Sequence, residues 1–164
     1  VDAEALAQLC FNKLIVSSLP KPEIATLLSE AFNITTRDET REVMDTLMMV
    51  KMRLGQITLK RDTGAKPPNT LDYAAYVIVP AVSESNNLYI RDDFFKEKTL
   101  DQTTKLIHEC VHLRYPNNPN GGHPGGAVMA FNGQHLRIPF KTKDAIRNPY
   151  CYEYFAQMVS LLPK

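Results

Sequence analysis

An α+β fold is what this chain predicts, with helices at both ends and a small β-sheet between them. Three observations carry the prediction. Residues 2–54 place their apolar side chains at helical spacing. From Ile57 to Arg91 the period shortens, and runs rich in tyrosine, valine and isoleucine are bounded by glycine and proline. Helical spacing then returns twice, around Leu106–Leu113 and after Pro149. A length of 164 residues suits one domain, 1–164, whose helical part is 1–55 and whose remainder, 56–164, holds the sheet and two further helices.

Each element has a local cause. Asp2 is the expected N-cap of a first helix over 2–18, with Ala5, Leu6, Leu9, Phe11 and Leu14 as its apolar stripe. Pro20 ends that segment, and Pro22 suits the first turn of a second helix reaching Asn33. Thr36 and Glu39 form a capping box that opens a third helix to Leu54, with Val43, Leu47, Val50 and Leu54 on one face. Its methionines, Met44, Met48, Met49 and Met52, broaden a core-facing stripe, or serve as a docking surface for a carrier or immunity protein. Ile57 and Leu59 alternate with polar neighbours, and 73–79 and 88–91 are two more strands, with a loop over 63–70. Phe94 and Phe95 anchor the turn into the next helix, where Thr99 and Gln102 read as another capping box. Asn148 caps and Pro149 opens a final helix to Leu162.

Composition excludes several classes. A net charge of +1, with acids and bases interspersed, argues against a nucleic-acid or membrane surface. No apolar run approaches the roughly 18 residues that span a bilayer. The chain starts at Val1 without a signal peptide, which suggests an excised domain or mature fragment. Cys10, Cys110 and Cys151 are odd in number and irregularly spaced, so they read as small core residues rather than a disulfide framework.

The chemistry lies in His108-Glu109-Cys110-Val111-His112. Residues four apart share a helix face, so both imidazoles reach one metal, and this HExxH spacing belongs to zinc sites. Glu109 is then the expected general base, and Zn²⁺ the expected cofactor. Catalytic zinc takes three protein ligands. A histidine six residues after His112 would complete the extended motif, but that position is Asn118. Glu153, set among aromatic and small residues in the final helix, is the expected third ligand, since a carboxylate there is costly to bury unpaired. His123, in a glycine-rich stretch 11 residues beyond His112, is the alternative, and Asp144 and His135 are weaker candidates. The stretch Tyr115–Gly126, rich in proline and glycine, is a long connection leaving directly from the motif.

Over roughly residues 70–160 the order of features resembles the deuterolysin and peptidyl-Lys metalloendopeptidase group, the aspzincins. The residues that carry the likeness are Leu88–Phe95, Leu106–His112 and Asn148–Ala156, where Asn148, Tyr152, Phe155 and Ala156 match a terminal Asn-Ala-Asp-Ser-Tyr-x-x-Phe-Ala pattern. The resemblance implies a zincin-like fold and a metallopeptidase acting on proteins or peptides. That group draws its third ligand from an aspartate after the metal helix, and here Gly121-Gly122-His123-Pro124-Gly125-Gly126 stands instead. Neither the aspartate nor the group's oxyanion-stabilising tyrosine is carried over, and Tyr150 occupies an acidic position linked to lysine selectivity. The chain also resembles metallopeptidase effector domains at the C-termini of type VI secretion spike proteins, which implies delivery outside the producing cell and a glutamate ligand from a later helix. Tyr152, Tyr154 and His123 remain open as oxyanion donors. Two rival classes remain open as well: a non-catalytic binding module with a peptidase fold, and a zinc amidase acting on cell-wall material.

Overall fold

The computed structural model describes residues 2–15, 21–64, 74–77, 87–118, 122–126 and 138–163. Along the chain these form α1 (Ala3–Ile15), α2 (Pro22–Phe32), α3 (Arg37–Leu54), β1 (Thr58–Arg61), β2 (Ala75–Val77) and β3 (Asn87–Ile90). A 3-10 turn (Asp92–Lys96), α4 (Thr99–Arg114), α5 (Thr142–Ala145) and α6 (Pro149–Leu161) follow. The parts of the expected elements at 16–20, 65–73 and 78–86, and His135, lie outside the described residues. Among the described residues no helix is long and apolar enough to cross a membrane.

Several helix starts follow from side-chain chemistry. Asp2 Oδ1 accepts from the Glu4 N–H at 2.9 Å. In the capping box, Thr36 Oγ1 accepts from Glu39 N–H at 3.3 Å while Glu39 Oε2 accepts from Thr36 N–H at 3.0 Å. Such a cap stabilises its helix by about 1 kcal/mol. Asn148 Oδ1 accepts from Tyr150 N–H at 3.0 Å, with Pro149 in the first turn of α6. The expected box at Thr99 does not form. Lys98 is the N-cap, and Gln102 Nε2 instead donates to the carbonyls of Phe94 and Glu97, tying α4 to the preceding turn.

The sheet order is β1-β3-β2, with β1 parallel and β2 antiparallel to β3. The strand expected from the Ile57/Leu59 alternation forms as β1, an edge strand whose four residues are exposed, while Ile57 just before it is half-buried against the core. Ala75, Leu88, Ile90 and Phe94 form a small cluster against which Leu106 of α4 packs, while Tyr76 and Tyr89 stack on the opposite face, 5.2 Å apart. Only Phe94 of the expected aromatic anchor is buried; Phe95 is exposed.

The main core joins α1, α2, α3, α4 and α6 in one apolar cluster. In α1 the buried face is Ala3, Leu6, Ala7, Cys10 and Leu14, rotated from the expected stripe, so Leu9 is partly exposed. On α3, Val43, Leu47 and Val50 are buried as expected, whereas Met52 is exposed. The core is centred on α6, where Cys151, Tyr152, Tyr154, Phe155, Ala156 and Val159 are all buried. Phe32 of α2 packs edge-on against Tyr152 at 4.8 Å. Helix α4 lies between α6 and the sheet, burying Ile107, Cys110 and Val111 in the main core. That wedge leaves the face bearing His108 and His112 turned to a cleft between α4, β2 and the loop after α4. The three cysteines are free and buried.

Candidate metal centre

One helical turn places His108 and His112 side by side, their ring centroids 5.1 Å apart. His123 arrives from the glycine-rich loop, its Nε2 3.1 Å from His108 Nε2. Ligand atoms of His108, His112 and His123 all lie within 4.8 Å of one another. Two nitrogens bound at about 2.0–2.1 Å to one tetrahedral ion sit roughly 3.3 Å apart, so the His108–His123 separation of 3.1 Å matches a shared zinc ion. Imidazole is also a favoured zinc donor.

Glu153 stands behind this trio. Its Oε2 is 2.9 Å from His108 Nδ1, on the far side of the ring from the Nε2 that meets His123. A carboxylate there holds the proton on Nδ1 and leaves the Nε2 lone pair free for a metal, the arrangement by which ligand histidines are usually oriented. Glu153, the expected third ligand, lies against His108 Nδ1 and outside the three-histidine group. The carboxylate is indeed paired, but with an imidazole, and the group of three that could hold an ion is completed by His123.

Burial sets the protonation states. Desolvation raises the Glu109 carboxyl to about 7, partly countered by His108 and by the Val77 N–H, which donates to Oε2 at 3.1 Å. A carboxylate poised near neutrality suits proton transfer at physiological pH. Desolvation holds His112 well below the ordinary imidazole range, with His108 and His123 pushing the same way. A neutral imidazole is the form that binds metal.

The loop is shaped to deliver His123. Gly122 has φ +93°, and a Cβ there would lie 2.4 Å from His112 Nδ1, so glycine is needed for both conformation and approach. Asn148, fully buried at the start of α6, donates through Nδ2 to the carbonyls of Pro124 and Gly126 at 2.6 and 2.9 Å. Asn118 Nδ2 donates to Arg147 O at 2.8 Å. Thus one asparagine both caps α6 and ties down the loop bearing His123.

Of the expected oxyanion donors, Tyr152 and Tyr154 are fully buried, and their hydroxyls donate to Ile146 O at 2.7 Å and to Glu30 Oε2 at 3.2 Å. Asp144 lies on α5, outside the three-histidine group. Tyr150, marked in the sequence only by its place in the terminal pattern, packs its ring against His108 and His123 at 4.5 and 4.7 Å. Tyr115, which directly follows α4, lines the cleft, and no spacing rule marks it for that place. The cleft has a volume of about 370 Å³, and Tyr76, Val77, His108, Glu109, His112 and His123 are among its walls.

The helix-rich architecture with a three-stranded sheet, and a histidine pair on the fourth helix joined by His123 from the loop beyond it, is an α+β fold of the zincin-like peptidase type. Among solved structures it matches a zinc peptidase from Grifola frondosa with a TM-score of 0.66, over 94% of this chain and 87% of that one, at 17% identity. The likeness at this identity is one of fold. No family model matches the sequence, and no curated protein matches it.

Proposed function

We propose that this protein is a zinc-dependent metallopeptidase of the HExxH type, in which His108, His112 and His123 hold the ion. The observation that carries the reading is the convergence of three imidazoles with a desolvated carboxylate, Glu109, in one cleft. The fold shared with a zinc peptidase supports it. When bound, zinc supplies Lewis acidity, which activates water and polarises a carbonyl.

The chain's own residues do the rest. Glu109 takes the proton from the attacking water and passes it to the leaving amine. The Val77 N–H fixes one oxygen of that carboxylate and leaves the other to work. Glu153 orients His108 through Nδ1, and Asn148 steadies the loop that bears His123. A peptide substrate is favoured by the sheet. Among the described residues β2 pairs with β3 alone, and Tyr76 and Val77 of that edge line the cleft, so an extended chain can lie alongside it. Action outside the producing cell, as the effector resemblance implies, belongs to the same proposal.

The test is Glu109→Gln in the zinc-loaded protein. It should keep one zinc per chain and its fold, while cleavage of a quenched protein substrate falls by about 10²-fold or more. Undiminished cleavage would remove Glu109 from the chemistry, and a zinc-loaded parent that cleaves no protein or peptide would overturn the peptidase reading.

A further inference from the structure

The cleft carries a second chemical signature where α4 ends. Tyr115 lines the wall there, and its hydroxyl lies 2.9 Å from Oγ1 of the fully buried Thr46, which fixes the ring. The guanidinium of Arg114 stands 5.8 Å from the centroid of that ring and the guanidinium of Arg147 stands 5.9 Å from it. Both arginines are exposed, and among the described residues neither is ion-paired with a carboxylate. Arg147 is tied to the cleft through its backbone as well, since its carbonyl accepts from Asn118, another residue of the wall.

Helix-dipole complementarity accounts for a cation at position 114, in the last turn of α4. It does not account for Arg147, which comes from the connection between α5 and α6. Two guanidiniums without an ion-paired carboxylate among the described residues stand beside one fixed ring of the cleft wall and make a positive patch next to the cleft. Among the described residues Glu109 is the one carboxylate lining the cleft, and it is buried at the histidines. Guanidinium forks match carboxylates in shape as well as charge, and an aromatic platform holds the fork ready. A substrate ammonium finds no counter-ion at this end of the cleft among the described residues.

We propose that Arg114 and Arg147, held on Tyr115, form an anion-recognition site that selects peptides presenting a carboxylate at this end of the cleft. The proposal rests on the peptidase reading for the kind of molecule that carries the carboxylate. The carboxylate has two sources, an acidic side chain or a free peptide C-terminus.

The experiment is equilibrium binding of short fluorescent peptides to the zinc-loaded Glu109→Gln protein at low ionic strength. One set carries Glu, Gln or Lys at a scanned position with an amidated C-terminus; a second lacks acidic side chains and ends in either a carboxylate or an amide. The anionic peptide of at least one set should bind about fivefold more tightly than its neutral twin, and the set that gains identifies the source. Lys should bind weakest, and the preference should shrink as salt rises. In Arg114→Gln/Arg147→Gln the preference should vanish, while Arg114→Lys/Arg147→Lys, which keeps the charge, should retain part of it. Equal binding of anionic and neutral peptides, or a preference that survives in the double Gln variant, would overturn the site. Cleavage of the neutral peptides by the parent protein is read in parallel. Anion preference without cleavage sinks the peptidase reading alone, and cleavage without preference sinks this site alone.

Discussion

Gly122→Ala tests the centre at its tightest point. The added Cβ would sit 2.4 Å from Nδ1 and 2.6 Å from Cε1 of His112. An unstrained contact needs about 3.5 Å, so ring and loop must part by roughly 1 Å. Metal sites tolerate displacements of about 0.2 Å. If the ring yields, His112 leaves the trio; if the loop yields, it carries His123 away. Zinc affinity should therefore fall by about 10–100-fold or more, the range seen when a ligand loses its orientation. Alanine at φ +93° also costs about 1–2 kcal/mol of backbone strain, which in a chain of this size lowers Tm by roughly 2–8 °C even without metal. Gly126→Ala separates the two effects. Its φ is +118° but among the described residues nothing lies within 4 Å of a new Cβ, so Tm should fall while zinc affinity stays close to that of the parent. Competition with a chromophoric chelator measures affinity, and the absorption of the cobalt-substituted protein reports the ligand field. A Gly122→Ala protein that binds zinc as tightly as the parent would refute the close packing of loop against ligand on which the centre depends.

Three further predictions follow from the same geometry. Glu153→Gln should weaken zinc binding by about 10–100-fold, as loss of an orienting partner does, and His123→Ala should weaken it further by removing a donor; the reverse ranking in the same titration would make Glu153 the ligand. Asn148→Ala removes the cap of α6 and leaves the Pro124 and Gly126 carbonyls without their partner, a loss of about 1–3 kcal/mol that urea unfolding of the metal-free protein should show. Asp62 is held below the usual carboxylate range by the Gly64 N–H first, then by the Tyr76 hydroxyl and Arg91. Its folded pKa is depressed, so its contribution is present above the unfolded value near 4 and is lost as pH falls through the folded one. Carboxyl NMR should place its titration below that value, and Tyr76→Phe should move it upward.

How far the sequence could be read differs by element. The capping box of Thr36 and Glu39 and the cap and proline opening α6 appear where expected, because each is settled by residues three or fewer apart. The expected box at Thr99 failed because Gln102 found better acceptors in the preceding turn, a choice made by tertiary contact. The face of α1 was misjudged for a similar reason. Ala3, Ala7 and Cys10 are small and carry a weak hydrophobic signal, yet they let α1 approach its neighbours closely. Glu153, a carboxylate among aromatic and small residues, has its partner in His108 Nδ1. Sequence order could not say whether that partner was an ion or an imidazole.

By itself the sequence determined the α+β class, the helix that bears the site and the pair of imidazoles upon it. A four-residue spacing becomes a shared face through the helical period alone. Only the tertiary structure brought His123 within reach of that pair. Along the chain both His123 and Glu153 are candidates, and where each stands turns on how the loop closes. Gly122 makes room against His112, Asn148 ties the loop to α6, and α6 then sets Glu153 behind His108 rather than beside it. Those contacts join segments far apart in sequence, and their energies exist only once the core around α6 has packed.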